Sequence, residues 1–501
     1  MVSRATFAAG AIVLFIALAT LNAGGYRFGA SDQAFYIPAV QHHLDPSLFP
    51  RDWPMLAAQD RLNAFTPLAA SLARATGVSL PALFFALYLA GLATLGTAAL
   101  LVAGRLYRSG WTAAALLAAL TLRHAVALGA VNTLEGYMHP RMIAFAAGAL
   151  AVASFLRGRY AAMTWLIVVA GIVHPTTAVW FALWLAVAVM VAEPRWRLAL
   201  SGIAGVAGLA AAWALAAGPL AGRLGRLDES WLAALDGKTY LFPDRWPVWA
   251  WASAALPVLT VAAIYRLRRT RTGTGGSPLA DTRETGLVAG VLTLAAVFLA
   301  SVPFTAARVA FAVQLQVPRV LWMLDLLAIV YLVWVLAESR PAWPGRPALV
   351  AALRGAAAVG RGALVMLVEH PERQVVAVGL APTDWNRAME WIRTETAPAA
   401  HVLAEPGHAW RYGTSVRVAA SRDVFLEEAK DGAFALYSRE AAARFVERVG
   451  ATQGFATFGP EDMRRLADRY DLHVLVTERT LNLPLLYSNG GFKVYSLKPP
   501  S

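Results

Sequence analysis

The chain has 501 residues, of which 58% are hydrophobic and 15% charged, against the roughly 25% charged that soluble domains carry. That composition argues against a soluble enzyme, 17 Trp and 21 Phe exclude a disordered or collagen-like chain, and the absence of cysteine excludes a disulfide-stapled secreted domain. The formal charge of +13 is confined to residues 1–369, because residues 370–501 hold 16 Lys+Arg and 16 Asp+Glu. A basic excess interleaved with long apolar runs points to loops facing a negatively charged membrane leaflet rather than to a nucleic-acid patch.

A helix needs about 20 mostly apolar residues to cross a bilayer. Runs of that kind bounded by charge, Gly or Pro predict about eleven spans, at 5–23, 79–103, 111–131, 141–156, 161–173, 176–192, 198–219, 247–265, 286–304, 319–337 and 348–368. Residues 161–192 read as one broken helix or two. The first run has a longer apolar core than the roughly 7–15 residues of a cleaved leader, and reads as a retained span.

Arginine placement then predicts the orientation. Arg4, Arg105 with Arg108, Arg157 with Arg159, Arg195 with Arg197, and the run Arg266, Arg268, Arg269, Arg271 mark alternating connections as cytoplasmic. The stretch RTGTGGSP at 271–278 reads as a flexible cytoplasmic linker. Residues 24–62, 132–140, 173–176, 220–246, 305–318 and everything after 369 are accordingly exoplasmic.

Residues 370–501 are expected to form a separate exoplasmic or periplasmic α/β domain of an ordinary size. An amphipathic helix is predicted over 383–396, with Trp385, Met389 and Ile392 on one side. Apolar runs at 401–405, 473–478 and 492–497 read as strands, SNGG at 488–491 as a turn, and 438–449 and 460–470 as helices. The fold class is thus an α-helical polytopic membrane bundle, residues 1–369, followed by a soluble α/β domain, residues 370–501.

The first exoplasmic loop, GYRFGASDQAFYIPAVQHHLDPSLFPRDW, places Asp32 just after the first span and ahead of Phe35, Tyr36 and Ile37. A carboxylate held at the membrane boundary is partly desolvated, which raises its pKa toward a general-base range. The blander reading of ASD and LDPS is a cap or an Asx turn, and it is preferred for Asp45. The second exoplasmic connection, NTLEGYMHPRMIAF, gathers Glu135, His139 and Arg141 within seven residues. Against a functional role, Arg141 could snorkel at a helix start with Glu135 as its partner. In GIVHPTT, His174 and Pro175 interrupt an apolar run of some 30 residues. No zinc-type histidine spacing is present, whereas Asp32, Glu135 and water could hold Mg²⁺ or Mn²⁺.

Farther along, RVAFAVQLQVPRVLWMLD sets Arg308 and Arg319 at the exoplasmic edge, where guanidinium groups suit a phosphate. Asp325 follows about 9 Å deeper at 1.5 Å per residue. Arg123 lies at comparable depth in the third predicted span, so an intramembrane Arg123–Asp325 pair is expected.

This layout resembles the GT-C superfamily of integral-membrane glycosyltransferases. The resemblance covers the whole chain: a multi-span bundle, a long first exoplasmic loop with an early acid, a second acid in the next exoplasmic loop, and an α/β domain on the same face. The text is also similar to that of bacterial membrane proteins of that superfamily, through SDQ, DPSLFPRDW, HPR and HPTT, and through DWNRAMEWIRTETAP and YSNGGFKVYSL. Gln33 follows Asp32 where many members carry a second acid. The resemblance implies a bacterial inner-membrane protein that moves a sugar from a polyprenyl-phosphate donor to an acceptor hydroxyl at the exoplasmic face, with inversion at the anomeric carbon. Asp32 and Glu135 would be the catalytic acids, and His139, Arg141, His174, Arg308 and Arg319 would receive the donor phosphate. A catalytically silent scaffold and a lipid or solute transporter are the competing readings.

Overall fold

A computed structural model gives the fold and describes residues 4–122, 124, 128–271, 278–340 and 343–498. Arg123 and residues 272–277 of the expected linker lie outside the described residues.

Among the described residues, seven helices are long and apolar enough to cross a membrane: Leu80–Leu106, Pro175–Ala192, Pro194–Ala216, Val248–Thr270, Thr282–Ala306, Ala310–Glu338 and Arg346–Glu369. This is the architecture of a helical membrane protein. Four further apolar helices, Thr6–Asn22, Gly110–Thr121, Pro140–Leu156 and Tyr160–Val173, are shorter. The span expected over 111–131 is one of these, and it ends early. Leu122 is already extended, and Leu128 and Ala130 take positive φ values that a continuing helix does not allow. The apolar run 161–192 is two helices. A residue before proline is pushed out of the helical region, and His174, ahead of Pro175, has φ −154° and ψ 90°.

The connections gather at two ends of the bundle. At one end the basic connections meet acids and helix C-termini. The Arg108 backbone N–H donates to Glu338 at 3.1 Å, Arg157 Nη2 to the Leu101 carbonyl at 2.9 Å, and Arg268 Nε to Glu284 at 2.7 Å. At the other end, first-loop residues Tyr26–Arg27 (β1) pair in parallel with Val376–Ala377 (β2). Arg27 N–H also donates to the Gly136 carbonyl of the second loop at 2.8 Å. Two glycines make this approach possible: a Cβ on Gly25 would lie 2.6 Å from the Gln374 carbonyl oxygen, and one on Gly136 would lie 2.4 Å from that of Gly25.

Beyond β2 the chain builds a mixed five-stranded sheet from His401–Leu403 (β3), Asp423–Val424 (β4), Val474–Thr477 (β5), Leu485–Ser488 (β6) and Lys493–Ser496 (β7), in the order β4-β3-β5-β7-β6. The first three strands run parallel and the last two add antiparallel. The helix expected over 383–396 spans Asp384–Glu395. Thr383 caps it, and Trp385, Met389 and Ile392 are buried against the sheet. Helices Arg439–Ala451 and Pro460–Tyr470 stand where their periodicity places them.

Candidate functional site

Asp32 precedes the helix Gln33–Leu44, yet its side chain makes no capping hydrogen bond. The carboxylate turns instead toward three cationic or imidazole groups. Oδ2 lies 3.3 Å from His139 Nε2 and 3.5 Å from Arg141 Nη2, and Oδ1 lies 2.7 Å from Lys430 Nζ. Its side chain keeps 21% exposure. Burial pushes the carboxyl up, but Lys430, the His139 hydrogen bond and Arg141 outweigh it and hold the group well below the usual carboxylate range. The expectation of a raised pKa is therefore corrected: desolvation acts as the sequence suggested, and three facing groups reverse its effect.

Gln33 explains the missing second acid. It is fully buried, accepts from Gly29 N–H at 2.6 Å and donates through Nε2 to the Met138 carbonyl at 3.0 Å. An Asp or Glu there would have no proton to donate to Met138, so the residue that ties the first loop to the second has to be an amide.

The second loop supplies Glu135, His139 and Arg141. His139 and His174 are built alike, each ahead of a proline and each capping the helix that follows. His139 Nδ1 accepts from the Arg141 N–H at 3.0 Å, and His174 Nδ1 accepts from the Thr177 N–H at 3.4 Å. With Nδ1 accepting, the neutral His139 ring carries its proton on Nε2, the atom that faces Asp32. Burial and Arg141 push the His139 pKa down, in keeping with that neutral form. The two rings are 6.2 Å apart, and Tyr36 packs edge-on against His139 at 5.1 Å. Arg141 also binds Glu135 Oε1, and so bridges the two acids. Glu135 Oε2 is buried with no hydrogen-bond partner among the described residues.

Arg319 stands near Arg141, Tyr36, Tyr240 and Tyr437, with its Nε buried and without a hydrogen-bond partner among the described residues. Lys238 lies close to Lys430 and Asp32, and burial followed by the Lys430 charge pushes its pKa down. The cluster therefore sets four basic side chains, Arg141, Lys238, Arg319 and Lys430, against two carboxylates, Asp32 and Glu135. A partly buried positive surplus of this kind attracts an anion.

Arg308 is not part of it. Both of its terminal nitrogens bind Asp244, at 2.9 and 2.8 Å, so the guanidinium expected to clamp a phosphate is occupied in a local pair. Asp325 Oδ2 is buried with no hydrogen-bond partner among the described residues. The helix that carries it packs against Gly110–Thr121, but its expected partner Arg123 is outside the described residues. Asp45 forms the local turn expected of it, with Oδ1 accepting from the backbone and hydroxyl of Ser47 at 3.0 and 2.7 Å. Asp32 and Glu135 do not fit a Mg²⁺ or Mn²⁺ site. Arg141 lies between them and Lys430 covers one side of Asp32, so a divalent cation would meet like charge. No group of three or more His, Asp or Glu residues is arranged to hold a metal among the described residues.

Lys238, Lys430 and the tyrosines around Arg319 are the members that loop-by-loop reading misses. One signal was present. Only four of the 44 basic residues are lysines, at 238, 430, 493 and 498, and two of the four converge on Asp32. Neither a family model nor a curated protein matches the chain.

Proposed function

We propose that the chain is a GT-C-type glycosyltransferase that moves a sugar from a polyprenyl-phosphate donor to an acceptor hydroxyl. In this reading the protein is a multi-pass protein of the bacterial inner membrane with about eleven spans. Residues 1–369 form the membrane domain and residues 370–501 a water-facing periplasmic domain.

The observation that carries the reading is the meeting of two carboxylates with a surplus of cations at the end of the bundle where the first and second loops join the C-terminal sheet. The acceptor hydroxyl loses its proton to Asp32 as its oxygen bonds to the anomeric carbon. The bond from that carbon to the phosphate oxygen breaks, and the electron pair leaves on the phosphate. Phosphate is a tolerable leaving group, so the main requirement is positive charge where it departs. Arg141, Arg319, Lys238 and Lys430 supply that charge without a metal ion, with His139 and His174 as neutral donors beside them. Glu135 orients Arg141 and, through its free oxygen, an acceptor hydroxyl. The lipid tail of the donor lies against the apolar helices while its phosphate reaches the polar end.

The full chain reconstituted in proteoliposomes with an undecaprenyl-phosphate-linked sugar and an acceptor is expected to release undecaprenyl phosphate in step with glycosylated product. A transporter would move the lipid without breaking the sugar–phosphate bond, and a silent scaffold would do neither. Either result across a panel of donor sugars overturns the reading.

A further inference from the structure

Lys430 is the one cation in the cluster that comes from the C-terminal part of the chain and touches Asp32 directly. Its backbone is fixed. It sits on the short helix Glu428–Phe434, where Asp431 Oδ1 binds Arg417 at 2.6 Å and Asp431 Oδ2 accepts from the Glu427 N–H at 3.1 Å. Among the described residues its side chain meets Asp32 at 2.7 Å, Ser31 Oγ in a long contact at 3.4 Å, and two aromatic rings, Phe35 at 5.3 Å and Trp410 at 5.9 Å. Trp410 is 74% exposed, so the ammonium lies just inside the surface. Lys238 is its like-charged neighbour. Lysine presents a point charge on a flexible four-carbon stem with three rotatable donors, whereas arginine is a rigid fork. In a chain that uses arginine for 40 of its 44 basic residues, two of the four lysines stand beside Asp32.

We propose that Lys430 is a positioning residue that exchanges partners: it holds Asp32 until an arriving phosphate group draws it away together with Lys238, leaving Asp32 open on that side to the acceptor hydroxyl. This rests on the glycosyl-transfer reading and adds its order of events. Asp32 is quenched as a base until the donor phosphate is seated, so an acceptor that arrives first finds no base. The other groups facing Asp32, His139 and Arg141, come from the second loop and stay in place, Arg141 because Glu135 holds it.

The test uses the full chain in phosphatidylcholine nanodiscs, titrated with undecaprenyl phosphate, with undecaprenol and with inorganic phosphate. Trp410 emission is the local signal, and a Trp410→Phe variant identifies its contribution. Undecaprenyl phosphate is expected to change that emission and undecaprenol is not. Lys430→Met should weaken undecaprenyl phosphate binding by about tenfold or more, while Lys430→Arg retains most of it. Asp32→Asn, which deprives Lys430 of its resting partner, should tighten binding by about threefold or more, and that gain should vanish in the Lys430→Met background. A merely structural lysine would not give a gain that depends on its own presence. Inorganic phosphate acting at a comparable concentration would support the exchange and assign the anion to a soluble source. If the wild type binds undecaprenyl phosphate and Lys430→Met, folded by its unchanged melting temperature, binds it equally well, the exchange is wrong while the transferase reading stands. If the wild type does not distinguish undecaprenyl phosphate from undecaprenol, both fall.

Discussion

Asp32 and Asp52 belong to the same loop, lie twenty residues apart in the sequence, and both reach cations from the C-terminal part of the chain, yet they head two different kinds of charge cluster. Asp52 is fully buried. Its Oδ2 accepts from Arg417 Nε at 2.6 Å and from Val424 N–H at 3.0 Å, and its Oδ1 binds Arg444. Arg417 is also fully buried, and its other nitrogens bind Asp431. Each guanidinium group here faces a buried carboxylate, Arg417 between Asp52 and Asp431 and Arg444 on Asp52, although Glu427 Oε1 and Arg444 Nε have no hydrogen-bond partner among the described residues. Around Asp32 the acid itself is more exposed, at 21% against a fully buried Asp52, and basic side chains outnumber acids. A balanced, dry cluster joins the loop to the sheet, whereas an unbalanced one at the surface is suited to chemistry. Both acids are aspartates, so the difference lies in their surroundings: arginines around Asp52, but a lysine and a histidine as well as an arginine beside Asp32.

The comparison can be broken most severely at Arg417. Arg417→Met leaves Asp431 and one side of Asp52 without their buried cation, and breaking a buried pair costs about 3–5 kcal/mol. Thermal unfolding in detergent should show a large fall in melting temperature. A variant that melts with the wild type would mean that the Asp52 cluster does not hold the loop to the sheet. The corresponding change on the other side, Arg319→Ala, should leave the melting temperature in place and lower transfer by about tenfold or more, because it removes charge from the departing phosphate.

Glu427 sharpens the comparison through pH. Burial pushes its pKa from 4.5 up to about 7, with Asp431 adding to the rise and Arg417 opposing it. Between those values the folded state keeps a proton that the unfolded state has released, so stability falls as pH rises from about 4.5 through about 7. Asp423, pushed up by burial and by Asp52, adds to the fall in the same direction. Melting curves of Glu427→Gln across that window should be flatter than those of the wild type, with a gain of a few degrees at the alkaline end. Parallel curves would remove Glu427 from this role. The smallest effect belongs to Arg308→Ala. Its pair with Asp244 is partly exposed, so about 1 kcal/mol or less is at stake, and transfer rates should not change. A large loss of transfer would return Arg308 to the site.

Apolar helices were legible because hydropathy is a local property, but of the eleven expected spans those at 5–23, 111–131, 141–156 and 161–173 fall on shorter helices, and 111–131 stops where the backbone leaves the helix while the text stays apolar. Glu135, His139 and Arg141 were legible because seven consecutive residues hold them. The His-Pro pairs announced helix starts, and the structure adds that each imidazole caps its own helix. Lys430 was not legible, being 398 positions from Asp32. Arg308 was misread for the same reason, since Asp244 is 64 positions away. The sign of the Asp32 pKa shift could not be read either: burial can be guessed from neighbouring aromatics, but the groups that overturn its effect come from two other segments.

The most direct measurement is the rate of sugar transfer by Asp32→Asn beside the wild type in the same proteoliposomes, each first shown to melt at the same temperature. The account predicts a folded protein whose turnover falls by about 10² or more, the range expected when a general base is lost. A folded Asp32→Asn protein that transfers sugar at the wild-type rate would contradict it.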